Sequence, residues 1–230
     1  MKKVKFLIIL LTIGNIIYSQ EIRIWPEITG LAEFAFPEME SANWRALNSS
    51  REKYYINDIG EVNITNQRIK KPIFLEVDNG EIIGINNGEW GGKLVFKNND
   101  CEYDIINENV CGIFKYKNEI YILTGLAHGW SQYGKIIKLK IIDNKYTIDY
   151  VIEIDKEPQT FKIYNDIVYI LTFDGLITFD GNNVVELFRE QNWAHLTSYS
   201  TLFISDKIIG IGLWGCIVII ENNNIKAYKR

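Results

Sequence analysis

Short runs of Ile, Val, Tyr, Phe and Thr recur along the chain, separated by clusters of Asn, Asp and Gly. β-Branched and aromatic residues suit a pleated, half-buried surface and the punctuating residues close turns, so the pattern predicts strands and hairpins. The pattern also repeats. GEIIGINNGEWGGKLVF, NEIYILTGLAHGWSQYGKIIKL, DIVYILTFDGLITF and KIIGIGLWGCIVII begin at Gly80, Asn118, Asp166 and Lys207, and each reads apolar strand, connection, glycine, apolar strand. By subtraction, Gly92, Gly134, Gly175 and Gly215 stand 42, 41 and 40 residues apart.

A further strand precedes each pair: IFLEV from Ile73, GIFKY from Gly112, TFKIY from Thr160 and TLFIS from Thr201. Another follows it: EYDII from Glu102, YTIDYVIEI from Tyr146, VVELF from Val184 and IKAY from Ile225. Four strands per unit of about 40 residues is the arithmetic of a propeller blade. The middle strands are nearly all apolar, as in sheets packed on both faces, and the fourth strands are more mixed. Residues 73–230 thus resemble β-propeller repeat proteins as a class. The paired G-H and W-D positions of the WD40 type are absent, and the kelch-like doublet Gly91-Gly92 occurs once, so the resemblance implies architecture only. The expected fold is all-β, a small β-propeller of four recognisable four-stranded blades.

Residues 20–72 are less regular. Pro37 followed by EMESANWRAL predicts a short helix starting at the proline, with Glu38 near its positive end. YYINDIGEVNIT, from Tyr54, predicts a hairpin that is either a truncated, divergent fifth blade or a cap over the ring, with the blade preferred.

In an up-and-down sheet the turns joining strands one to two and three to four share one end. Connections from strand two to three, and from blade to blade, share the other. The first end is built from DNG, KN, ND, SD, NND, DNK, GNN and NNN, all tight-turn chemistry. The second end holds both histidines, His128 and His195, and four of the six tryptophans, Trp90, Trp130, Trp193 and Trp214. Binding residues concentrate on loops held by a rigid scaffold, which makes this end the candidate functional face. Trp90 and Trp214 recur beside the repeated glycine, a position that points to packing. Trp130, Tyr133, Trp193, His128 and His195 are the candidate ligand-binding residues. Indole faces would supply apolar area and the nearby Glu, Asp and His would supply orientation. The ligand would be a small molecule, a glycan or a protein. Histidine with Glu89, Glu108, Glu157 or Asp174 also admits a hydrolase or lyase of the cell envelope, second to binding. No H-E-x-x-H, G-x-S-x-G, P-loop or dinucleotide fingerprint occurs, and no catalytic residue, cofactor or metal site is assigned.

Composition then limits the partners. MKKVKFLIILLTIGNIIYSQ carries Lys2, Lys3 and Lys5 ahead of an apolar run and a small residue, Ser19, which predicts a cleaved signal peptide over residues 1–19 and an exported, periplasmic or secreted protein. The run is shorter than a spanning helix, so stable membrane insertion is not expected. Removing it changes 25 basic against 29 acidic residues to 22 against 29. With no clustered basic face, nucleic acid is not an expected partner. Cys101, Cys111 and Cys216 are too few for a disulfide framework; one bridge is possible in an exported chain, and buried thiols are preferred.

Overall fold

The structure, a computed structural model, describes Ile28 and residues 30–67, 73–129, 131–198 and 200–230. The predicted signal peptide and Trp130 lie outside the described residues. The first elements are β1 (Ala32–Phe34), α1 (Ala42–Asn48) and the hairpin β2 (Lys53–Ile56) to β3 (Val62–Thr65). Then come β4 (Ile73–Val77), β5 (Gly80–Asn86), β6 (Gly92–Lys97) and β7 (Glu102–Ile106), followed by β8 (Val110–Tyr116), β9 (Glu119–His128), β10 (Ser131–Ile142) and β11 (Lys145–Ile154). The third group is β12 (Pro158–Tyr164), β13 (Ile167–Thr172), β14 (Gly175–Phe179) and β15 (Val184–Arg189). The last is β16 (Thr201–Ile204), β17 (Ile208–Gly212), β18 (Ile217–Glu221) and β19 (Asn224–Lys229).

Each group of four is one antiparallel sheet in sequence order, and β1 adds a fifth strand outside β19. The chain is an all-β fold of four-stranded antiparallel sheets, consistent with a small β-propeller-like domain. The sheets stack through shared cores. One cluster, with Ile82 and Leu94 facing Ile122 and Ile137, joins the first sheet to the second. A second, with Leu123 and Ile136 facing Ile170 and Phe179, joins the second to the third. Leu171 and Leu176 meet Ile211 and Val218 in another, and Tyr54 and Ile56 of β2 meet Ile217 and Ile219 in the last. Burial follows the sequence polarity: β14 and β18 are almost wholly buried, whereas β15 is largely exposed.

Glycines near the ends of the second strands let successive sheets approach. A Cβ at Gly84 would lie 2.5 Å from Val110, and one at Gly125 would lie 2.8 Å from Pro158, where β8 and β12 begin. At Gly212 the colliding atom is the Tyr54 carbonyl oxygen of β2. The β2–β3 hairpin therefore stands to the last sheet as β8 stands to the first.

The helix starts later than the sequence suggested. Ser41, with extended backbone, accepts the Trp44 N–H at 3.2 Å and caps α1, leaving Pro37 and Glu38 ahead of the first turn. Trp44 and Leu47 are buried against the last sheet, and the Trp44 indole N–H donates to the Asn192 carbonyl at 2.7 Å.

Candidate functional site

Backbone bonds recur at the end where the links between successive sheets lie. Gly125 N–H donates to the Asn109 carbonyl at 3.2 Å, Phe173 to Glu157 at 2.9 Å and Trp214 to Leu196 at 3.1 Å. Each is a link carbonyl receiving the N–H at or just after the second strand of the following sheet. The side chain of Asn109 adds to this: its Nδ2 donates to the Gly88 carbonyl at 2.6 Å and its Oδ1 accepts from Asn87 N–H at 3.1 Å. That fixes the short 3₁₀ turn Gly88–Trp90 between β5 and β6.

These connections rim a cavity of about 910 Å³. Asn87, Glu89, Trp90, His128, Glu157 and Ser198 come to it from connections, links and the end of β9. Bulges bring in two more groups. The register between β8 and β9 shifts between Val110 and Gly112, and that between β12 and β13 shifts between Pro158 and Thr160. The extra residues are Cys111 and Gln159, and both line the cavity. Such a bulge re-aims a side chain that regular alternation would send to the other face.

His128 Nδ1 lies 3.2 Å from a Glu89 carboxylate oxygen, both side chains being exposed. Glu157 is partly buried; it accepts from Gln159 Nε2 at 2.6 Å and from the Ala127 N–H. Burial holds its carboxyl above the usual range, and the two neutral donors only partly offset this. Burial also pushes the Cys111 thiol well above its ordinary value. Asn86 Nδ2 donates to Cys111 Sγ at 3.7 Å. Ser200, only 8% exposed, also contributes to the lining, but its Oγ is itself buried and has no hydrogen-bond partner among the described residues.

The five candidate residues do not share one place. His128 lines the cavity. Tyr133 sits outside the lining, its ring 5.6 Å from Lys135 Nζ, which in turn pairs with Glu108 at 2.6 Å. His195 is exposed with φ 68°, and its ring packs edge-on to Phe173 at 4.9 Å and Trp44 at 6.1 Å, away from the cavity lining. Trp193 has no exposed surface: the Gln191–Trp193 turn drives its indole into the core, edge-on to Phe188 at 5.0 Å. Trp130 lies outside the described residues. Of the tryptophans expected to pack, Trp214 lies beneath Lys53 Nζ at 4.9 Å against the cluster of Leu171 and Ile211, but Trp90 is 84% exposed at the cavity. Three cavity aromatics carried no sequence signal: Tyr55 of β2, Phe74 of β4 and Phe161 of β12.

All three cysteines are free: Cys101 exposed, Cys111 partly buried and Cys216 buried. Among the described residues no group of three His, Cys, Asp or Glu side chains is placed to hold a metal ion, and no helix is long and apolar enough to cross a membrane.

No protein-family model and no curated protein matches the chain. Among solved structures it is similar to the N-terminal domain of Nup159, with 8% identity and a TM-score of 0.29, over 74% of this chain and 57% of that one. It is also similar to a chain of the S. cerevisiae assembly of Dbp5 bound to Nup159, Gle1, IP6 and ADP, with 9% identity and a TM-score of 0.28, over 79% of this chain and 60% of that one. Likenesses this slight bring neither partners nor ligands to the present chain.

Proposed function

We propose that the chain is an exported β-propeller protein that binds a small-molecule, glycan or protein ligand at its cavity-bearing end. In this reading residues 1–19 are a cleaved leader and the β2–β3 hairpin is a truncated fifth blade. The observation that carries the binding role is the convergence of Trp90, His128 and Glu157, from three separate parts of the chain, on one cavity. A concave site that gathers aromatic rings and polar groups is the default ligand site, and its rings offer contact area at low side-chain entropy cost. The close Gly84–Val110, Gly125–Pro158 and Gly212–Tyr54 approaches support counting the hairpin as a blade, because all three join the end of a second strand to the start of the next inner one.

The test is a ligand screen read by the emission of the exposed Trp90. A ligand found this way should bind His128→Ala and Phe74→Ala about tenfold or more weakly, each loss being about 1.4 kcal/mol. Unchanged affinity in both variants would refute the site. The His128–Glu89 contact favours a second reading, acid–base hydrolysis or elimination at the same mouth. That reading fails if His128→Ala retains full turnover of a substrate found in the same screen.

A further inference from the structure

The charges around the cavity are one-sided. Among the described residues its ionisable lining consists of Glu89, Glu157, His128, Tyr55 and Cys111, with neither lysine nor arginine. The nearby cations are already engaged, Lys135 with Glu108 at 2.6 Å and Lys156 with Asp174 at 3.6 Å. Glu157 lines the cavity, and its partners among the described residues are a side-chain amide and a backbone N–H. A partly desolvated carboxylate with neutral donors gains from a cation more than it does from another amide. Two aromatic rings share the lining with it: Phe74, 48% exposed although it is a large apolar ring, and Phe161. Ring faces attract cations, and they cover the methylenes of a long side chain.

We propose that this cavity takes a cationic organic group, a protonated amine or guanidinium of the kind carried by lysine and arginine side chains, with Glu157 as counter-charge and Phe74 and Phe161 as apolar walls. The assignment rests on the cavity reading above and adds the chemical class of its ligand. Binding is non-covalent: the ammonium or guanidinium donates to the Glu157 carboxylate, and the alkyl stem lies along the rings.

The probes are the N-acetyl N′-methylamides of lysine and arginine, the corresponding amides of norleucine and citrulline as neutral counterparts, free spermidine, and cellobiose. Each is titrated into the isotope-labelled full chain and followed through the backbone amides of Ala127, His128 and Gln159. A cationic probe should shift these amides, its neutral counterpart should bind about tenfold or more weakly, and Glu157→Gln should remove a similar factor while leaving the melting temperature unchanged or higher. Spermidine without the amino-acid amides would identify a free polyamine as the source, and the reverse a peptide side chain; both support the assignment. Equal binding of norleucine or citrulline, undiminished cation binding by Glu157→Gln, or no response to any cationic probe overturns it. If cellobiose or a neutral screening hit moves the same amides and the cations do not, the cavity stands as a binding site and the cationic assignment falls.

Discussion

The two ends of the sheets solve the same problem, reversing the chain, in different ways. At the turn end each reversal is closed within its own hairpin, and neighbouring sheets are tied by tyrosine hydroxyls, Tyr116 donating to the Asp166 and Asp180 carbonyls and Tyr150 to that of Gly181. Lys117-Asn118, Asp143-Asn144, Asn165-Asp166 and Asn222-Asn223 each place two successive residues at positive φ, between 47° and 64°, the geometry of the tight turns that match strand twist. Asn98 and Asp180 bond backbone N–H groups within their own loops. At the cavity end the bonds run between one sheet's link and the next sheet, as from Phe173 to Glu157. A self-contained turn leaves nothing for a ligand to complete. The stitched end leaves side chains of unlike chemistry around a recess, because bonds between segments far apart in sequence already fix its backbone.

Substitutions at the cavity end should therefore separate sharply into those that damage the core and those that touch only the surface. Trp193→Ala empties a fully buried site and should cost about 3–5 kcal/mol in denaturant unfolding. Trp90→Ala removes the same side chain from an 84% exposed position at the same end and should stay within about 0.5 kcal/mol. If the two variants unfold alike, the division between core and rim indoles is wrong. Gly134→Ala comes next, at about 1–3 kcal/mol, because its Cβ would collide with the Lys156 carbonyl and lie 2.8 Å from Ile154. Full stability in that variant would mean that the link crosses the strand more loosely than described. At the turn end, Asn222→Ala costs only the left-handed backbone, about 1 kcal/mol, and Asn222→Gly should recover most of it.

Strand positions were legible in the sequence because alternation, apolar runs and turn residues act locally. Ile73–Val77 and Glu102–Ile106 coincide with their strands, and others, such as those from Gly112 and Tyr146, differ by one or two residues. Parity also groups the two-to-three connections with the links between sheets at one end, and the cavity lining draws on both, as at Glu89 and Glu157. Which side chains enter the cavity was not legible. The bulges at Cys111 and Gln159 reverse the alternation expected of an inner strand, and their cause, the fit of one sheet against the next, is tertiary. Trp193 was misleading for a related reason: a link residue beside His195 reads as rim, but the turn at Gln191–Trp193 inverts it into the core. The start of α1 was readable in principle, since Ser41 is the cap residue that Pro37 obscured.

The smallest effect concerns two carboxylates, one per end, shifted in opposite directions. Asp180, at the turn end, accepts the Asn183 and Asn182 N–H groups at 2.8 Å each, and these bonds lower it from 3.8 to about 2. Its folded value lies below its unfolded one, so its contribution to stability is present above pH 3.8 and is lost as pH falls through about 2. Glu157, at the cavity end, is raised by burial. There the folded state binds the proton more tightly, so stability falls as pH rises from the ordinary carboxylate value to the raised one, and the cost is complete above it. The neighbouring Cys111 and Tyr133 are both raised from already alkaline values, so they stay neutral in this range. Carboxyl titration by NMR should give Asp180 near 2 and Glu157 above 4.5, and Glu157→Gln should flatten only the second limb of the stability profile. Should both groups titrate at ordinary values, neither the self-bonded turn nor the desolvated cavity wall would describe this molecule.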